Sequence, residues 1–237
     1  MPLLEVKDCH AGYGTGSILN GIDLTVAKGE LIGIVGPNGH GKTTLLRAIS
    51  GLLPRTQGSI ALNGRSILGL APEKIARMGL AHVPQGDLVY KNMTILENLL
   101  VGGYANRSDA RSQAQLDKVF ALFPKLEQRA EQIASSLSGG ERRMLGIGRG
   151  LMMGDCRLLV LDEPSLGLAP VVIDQIYAAI DELRATGMTI VVVEENIARV
   201  ANHADRLHLM DGGHFVWSGV PAEMHENRKI IDTYLGA

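Results

Sequence analysis

Apolar and polar positions change period several times along this chain, and each change marks a predicted element. Leu3 to Val6 alternates as a short strand, and so does Leu19 to Val26, where Ile22, Leu24 and Val26 oppose Asp23 and Thr25. Leu31 to Val35, Arg157 to Leu161 and Thr189 to Val193 are nearly continuous apolar runs of strand length, the pattern of strands covered on both faces. The first runs into a glycine loop and then a helix through Leu45, Leu46 and Ile49. Val171 to Ala185 carries Val172, Ile173, Ile176, Ala179, Ile180 and Leu183 at helical spacing. Strands alternating with helices predict a mostly parallel sheet with helices over its faces.

Two regions depart from that rhythm. From Thr94 to about Ser136 the spacing is helical only, through Leu96, Leu99, Leu100, Leu116, Val119, Phe120, Leu122 and Phe123. Near the end, Leu207 to Gly219 reads as two short strands around Asp211-Gly212-Gly213, a hairpin. The expectation is a single α/β unit over 1–237, with a core of 1–92 and 137–237 and a helical subdomain inserted at about 93–136.

An apolar share of 46% is enough for a full core and excludes wholesale disorder. With 23 basic against 25 acidic residues the chain lacks the strongly basic balance of a nucleic-acid binder. Cys9 and Cys156 are too few for a disulfide framework and fit a reducing compartment. Glu5 and Asp8 interrupt the apolar stretch a signal peptide needs, and no run approaches the ~18 apolar residues of a membrane span. The histidines show no metal-ligand spacing.

Candidate chemistry begins in the glycine loop. Gly36-Pro37-Asn38-Gly39-His40-Gly41-Lys42-Thr43 fits G-x-x-x-x-G-K-[ST], continues with Thr44, follows a buried strand and opens a helix. Glycines there let several backbone N–H groups converge on phosphate oxygens, and the helix adds the positive end of its dipole. Lys42 is placed to bridge the β- and γ-phosphates, and the Thr43 hydroxyl to ligate Mg2+. The run Leu158 to Leu161 ends in Asp162-Glu163: the first acid is placed for Mg2+, the second to orient and deprotonate a water aimed at the γ-phosphate. Leu137-Ser138-Gly139-Gly140-Glu141 is a second anion cradle, with glycine N–H groups beside a serine hydroxyl at a helix start. Two cradles so far apart in the chain cannot easily serve one nucleotide.

On these three motifs the chain resembles the ABC-type ATPases over essentially its whole length. The resemblance implies a P-loop NTPase core with an antiparallel β part and an inserted helical subdomain. It implies that the second cradle closes over ATP held by a partner ABC ATPase subunit, identical or related. Tyr13 then stacks on adenine, and Gln85, in His82-Val83-Pro84-Gln85-Gly86, contacts Mg2+ or the attacking water and senses the transporter. The stretches Glu163–Pro170, Met93–Leu99, Leu122–Leu126 and Tyr234–Gly236 are similar to the LivF-type ATP-binding subunits of branched-chain amino acid importers. That likeness implies ATP and Mg2+, transmembrane permease subunits with an external substrate-binding protein, no nucleic acid, and a peripheral place on the cytoplasmic face of the cell membrane. The alternative is a soluble ABC-type ATPase serving as a nucleotide-dependent interaction module without a transporter.

Several positions depart from the family's pattern. Its switch histidine falls at Glu195, in Val193-Glu194-Glu195-Asn196, where LivF-type chains resemble one another in carrying Gln. An ionised carboxylate cannot donate to the γ-phosphate, and two like charges ~4 Å apart at an effective dielectric of ~20 repel by ~4 kcal/mol. Glu195 is then protonated, turned away, offset by a cation such as Arg199, or simply exposed without nucleotide contact. The expectation is damped turnover. Ser165-Leu166-Gly167-Leu168 lacks the family's Asp, which leaves cross-talk between sites to backbone or to Ser165. Gly146, Gly148 and Gly150 each cost about 1 kcal/mol relative to Ala in a helix, with close packing against the core as one reason. Arg142 and Arg143 read as solvated or as phosphate-proximal, and His40 as lying over the phosphates or facing solvent.

Overall fold

A computed structural model describes residues 1–14, 16–86, 89–104 and 109–224, with backbone alone at 109–111. The Tyr234–Gly236 stretch lies outside them. In chain order the elements begin with strands β1 (Leu4–Tyr13), β2 (Gly16–Val26) and β3 (Leu31–Val35), then helix α1 (Lys42–Ile49). Strands β4 (Thr56–Leu62) and β5 (Arg65–Ser66), helix α2 (Pro72–Arg77) and strand β6 (Leu80–Val83) follow. Helices α3 (Ile95–Gly102), α4 (Asp109–Leu122), α5 (Pro124–Gln128) and α6 (Gly139–Leu151) fill the middle. The rest is β7 (Leu158–Asp162), α7 (Pro170–Ala185), β8 (Thr189–Glu194), α8 (Ile197–Ala201), β9 (Arg206–Asp211), β10 (His214–Gly219) and α9 (Pro221–Met224).

The strands make two sheets. One has the order β10-β9-β3-β8-β7-β6, parallel except where β10 returns antiparallel along β9; the other, β2-β1-β4-β5, is antiparallel throughout. Alternation along the buried strands sorts their side chains to opposite faces. Ile32, Ile34, Leu158, Val160, Val191 and Val193 join Leu45, Leu46 and Ile49 of α1 and the inner face of the antiparallel sheet. Leu31, Val35, Leu159, Leu161, Ile190 and Val192 join Leu99, Val119, Leu145 and Ile176 from the helices on the other side. Helix α1 is therefore held between the two sheets, which fixes where the loop before it can point.

The helical run appears where the spacing predicts it. Thr94 starts α3 with a capping box, its Oγ1 accepting from Glu97 N–H at 3.1 Å while Glu97 Oε2 accepts from Thr94 N–H at 2.7 Å. Asn98, fully buried, donates to the Tyr90 and Thr94 carbonyls and accepts from Tyr90 N–H, so it anchors the loop leading into α3.

Strands β1 and β2 run longer than their alternation suggests. Register shifts between Val6 and Cys9 and between Cys9 and Ala11 put the pattern out of phase. Strands β4 and β6 escape the periodicity because Gly58 sits at φ +95 against the Asp8 carbonyl and because β6 places a half-buried histidine among its four residues. Among the described residues no helix is long and apolar enough to cross a membrane.

Candidate active site

The parallel register sets Val35 opposite Glu194 and Asp162 opposite Val193, so the loops after β3, β7 and β8 leave one edge of the sheet side by side. The loop after β3 is shaped by its glycines. At Gly36, a Cβ would lie 2.1 Å from the Met210 carbonyl of β9, so only glycine fits; Gly41 starts α1 at φ +108. No side chain caps α1 and no acid lies in its first turn, which leaves its N–H groups available to an anion.

Lys42 is folded into this loop. Its Nζ donates to the carbonyls of Gly36 (2.7 Å) and Pro37 (2.9 Å) and lies 3.8 Å from Glu163 Oε1. Burial pushes its pKa below the usual lysine value, opposed by the neighbouring Glu163 carboxylate. Beside it, Thr43 Oγ1 donates to Asp162 Oδ1 at 3.0 Å, while Asp162 Oδ2 is buried with no hydrogen-bond partner. Burial raises the Asp162 carboxyl above its ordinary range, and the Thr43 hydrogen bond opposes that rise. An orphaned carboxylate oxygen next to a hydroxyl is a donor set that fits a hard divalent cation such as Mg2+. Thr44 is buried behind this pair, while Asn38 and Gly39 at the loop's tip are exposed.

Glu163 is 4% exposed and held at φ +48, a left-handed conformation that costs a non-glycine residue roughly 1–3 kcal/mol. Its N–H donates to the Val193 carbonyl at 2.9 Å, and its Oε2 accepts from Gln85 Nε2 at 2.8 Å. The chain thus brings Lys42, Thr43, Gln85, Asp162 and Glu163 together. Two residues on, Ser165 N–H donates to Glu194 Oε1 at 3.1 Å, Tyr177 Oη donates to the same oxygen at 3.2 Å, and Arg199 Nη1 donates to Ser165 Oγ at 2.7 Å.

Other predicted residues are placed separately. Tyr13 is half exposed at the end of β1, its hydroxyl accepting from Arg47 of α1 at 2.9 Å. His40 Nδ1 lies 2.6 Å from Asp211 Oδ1, and Gly213 N–H donates to the His40 carbonyl at 3.1 Å, so the β9–β10 turn braces the phosphate loop. Ser138 caps α6, its Oγ accepting from Glu141 N–H and its N–H donating to Glu141 Oε2. Gly140 packs so closely on Val172 of α7 that a Cβ would lie 2.4 Å away. Among the described residues, no hydrogen bond joins Ser138, Gly139 or Gly140 to the phosphate loop of the same chain.

Three expectations change. Arg199 does not offset Glu195: helix α8, capped by Asn196, turns it toward Ser165. Glu195 is itself exposed, yet its charge still helps hold the Lys42 ammonium protonated. Ser165 is fully buried and already engaged, so it is not free for exchange between sites. Arg143 is buried rather than solvated, donating to the Gly86 carbonyl behind the Gln85 loop, and Arg142 donates to Leu137 O. Close packing accounts for Gly148, where a Cβ would meet Val119 at 2.7 Å, and for Gly150 against Val83 at 2.8 Å, but not for Gly146.

Glu194, Tyr177 and Asp211 were missed by reading the sequence; an acid ending an apolar strand was the available signal for the first. A cleft of about 700 Å3 lies at the other end of the sheet, lined by Lys28, Lys118, Leu122, Arg157 and Met188, away from the phosphate loop.

The family profile described as ABC transporter matches residues 19–166. BraG of Pseudomonas aeruginosa, a high-affinity branched-chain amino acid transport ATP-binding protein, is 42% identical over 99% of this chain and 100% of its own. LivF of Archaeoglobus fulgidus, a probable branched-chain amino acid transport ATP-binding protein, is 33% identical over 99% of each chain. LptB of Escherichia coli, a lipopolysaccharide export ATP-binding protein, is 29% identical over 100% of this chain and 98% of its own. The crystal structure of the ADP conformation of MJ1267, an ATP-binding cassette of an ABC transporter, matches with a TM-score of 0.86 at 29% identity over 100% of each chain.

Proposed function

This chain belongs to the ABC transporter family and has the α/β fold of its ATP-binding cassettes, and on that premise we propose that it is the ATP-hydrolysing subunit of an importer for branched-chain amino acids or related amino acids and amides. The observation that carries the chemistry is the convergence of Lys42, Thr43, Gln85, Asp162 and Glu163 at one sheet edge, with Thr43 and Asp162 bonded across 119 residues of sequence. The relatives named above are all transport subunits, which favours this reading over a module without a transporter.

In this reading the phosphates of ATP take backbone N–H groups between Asn38 and Thr44, and Lys42 exchanges the loop's own carbonyls for phosphate oxygens. Tyr13 offers its exposed ring to adenine. Thr43 and Asp162, together with Gln85, would hold Mg2+, which would supply charge neutralisation at the phosphates. Glu163 takes the proton of the attacking water, and Gln85 keeps that carboxylate turned toward Lys42.

Ser138, Gly139 and Gly140 act on the ATP of a second ABC ATPase subunit, completing a site that the exposed loop tip leaves open. Closure of the pair is a population shift driven by tighter ATP binding in the closed state. We read 93–136 as the helical subdomain; Tyr90, Met93, Leu100, Val101 and Tyr104 around it expose apolar surface for the permease on the cytoplasmic face of the membrane.

The test is Glu163→Gln with MgATP, followed by light scattering and phosphate release. The variant is expected to stop turning over and to accumulate as an ATP-held dimer; wild-type hydrolysis in the variant, or no dimer, sinks the mechanism. Leucine uptake into vesicles carrying the subunit with its permease and binding protein checks the cargo, and no branched-chain amino acid uptake overturns it.

A further inference from the structure

Glu194 is 1% exposed and ends a strand whose four preceding residues, Ile190 to Val193, are apolar and buried, and a carboxylate in that position needs a reason. Its surroundings supply one. Oε1 accepts from the Ser165 N–H and from the Tyr177 hydroxyl, and the Ser165 hydroxyl, which itself accepts from Arg199, donates to the same carboxylate. Ser165 is 0% exposed and Tyr177 2%, with the Tyr177 ring stacked on His203 at 4.6 Å. One residue earlier, the Val193 carbonyl accepts from the N–H of Glu163. The last two residues of β8 therefore grip the turn after β7 at both sides of Pro164, and Glu163 lies inside that grip in a left-handed conformation which its own side chain does not favour.

We infer that Glu194 is a positioning residue for ATP hydrolysis: by holding Ser165 and Tyr177 it locks the strained turn that aims the Glu163 carboxylate at Lys42 and Gln85. It does not touch nucleotide; it acts through Glu163, and the inference rests on Glu163 being the general base. A carboxyl suits the task better than an amide because either of its oxygens can accept, whereas an amide has one acceptor oxygen and an NH2 that could face the clamp's donors; burial raises the Glu194 carboxyl above its ordinary range, and the Ser165 hydrogen bonds oppose that rise. The clamp also joins three elements, β8, the β7–α7 turn and α7, so the switch position Glu195 moves with the turn that carries the base.

The experiment uses the full chain and compares Glu194→Gln, Tyr177→Phe and Ser165→Ala with wild type for kcat, KM for ATP, affinity for a fluorescent ATP analogue, and Tm. Glu194→Gln is expected to lower kcat at least tenfold, with KM and analogue affinity within twofold of wild type. In a Glu163→Gln background, where multiple turnover stops, the same substitution is expected to leave the slow single-turnover cleavage of bound ATP, read with enzyme in excess over hours, unchanged, because a residue that acts through Glu163 has nothing left to position. A further tenfold loss in that background, or a parallel loss of kcat, affinity and Tm, makes Glu194 merely structural and overturns the inference. Should Glu194→Gln fail to fold, Tyr177→Phe and Ser165→Ala decide, and wild-type kcat in both overturns it. If Glu163→Gln is inactive while Glu194→Gln turns over like wild type, this inference alone falls. If Glu163→Gln turns over like wild type, the assignment of the base falls with it.

Discussion

Asp162 sets a carboxyl in a buried place where desolvation disfavours its charged form and a bound cation would favour it. Because burial raises its pKa, the folded chain binds its proton more readily than the unfolded chain, and above that pKa the ionised form subtracts from stability. Asp162→Asn is therefore expected to raise the Tm of the nucleotide-free chain by a few degrees while abolishing Mg2+-dependent hydrolysis; calorimetry beside an ATPase assay reads both, and an unchanged or lower Tm contradicts the argument. Glu195 belongs to the same scale. Exposed, it still feels Lys42, so Glu195→Gln is expected to speed hydrolysis several-fold at saturating ATP, and an equal or slower rate would show that its charge does not bear on turnover.

Helix α6 carries three glycines that look alike in sequence and differ in packing. Ala at 148 drives a methyl into Val119, whose branched side chain cannot swing away, and the expected loss is about 1–3 kcal/mol. Ala at 146 meets nothing within 4 Å and gains helix propensity, up to about 1 kcal/mol. Urea midpoints of Gly148→Ala and Gly146→Ala should move in opposite directions; movement the same way would mean that α6 is not packed as described. Spacing alone gave no means of telling these positions apart, since both are glycine in a helix and the distinction lies in α3 and α4, far off in the chain.

For the molecule as a whole, two histidines on different strands report on burial. His82 in β6 and His208 in β9 are both held near a pKa of about 4 by burial, below the usual 6.5. As pH falls from 6.5 toward 4 the unfolded chain takes up these protons and the folded chain does not, so stability is lost by about 1.4 kcal/mol per pH unit for each histidine. Unfolding free energies at pH 6.5 and 4.5 should fall less in His208→Asn than in wild type, and an equal fall would show that His208 ionises freely in the folded chain.

The chemistry was legible in the sequence wherever it is made by consecutive residues. A phosphate cradle consists of neighbouring N–H groups, so Gly36 to Thr44 could be proposed from sequence, as could Asp162-Glu163 at a strand end and Ser138-Gly139-Gly140 at a helix start. The strands β3, β7 and β8 were equally plain, because burial on both faces leaves continuous apolar runs. Only the tertiary structure decided which of these meet. The order β3-β8-β7 is what sets Thr43 on Asp162 and Glu194 on Ser165, and the return of β9 and β10 is what sets Asp211 on His40. Local backbone geometry is written in adjacent residues; the partner of a buried polar side chain is chosen by strand neighbours, and those are selected by the packing of the entire chain.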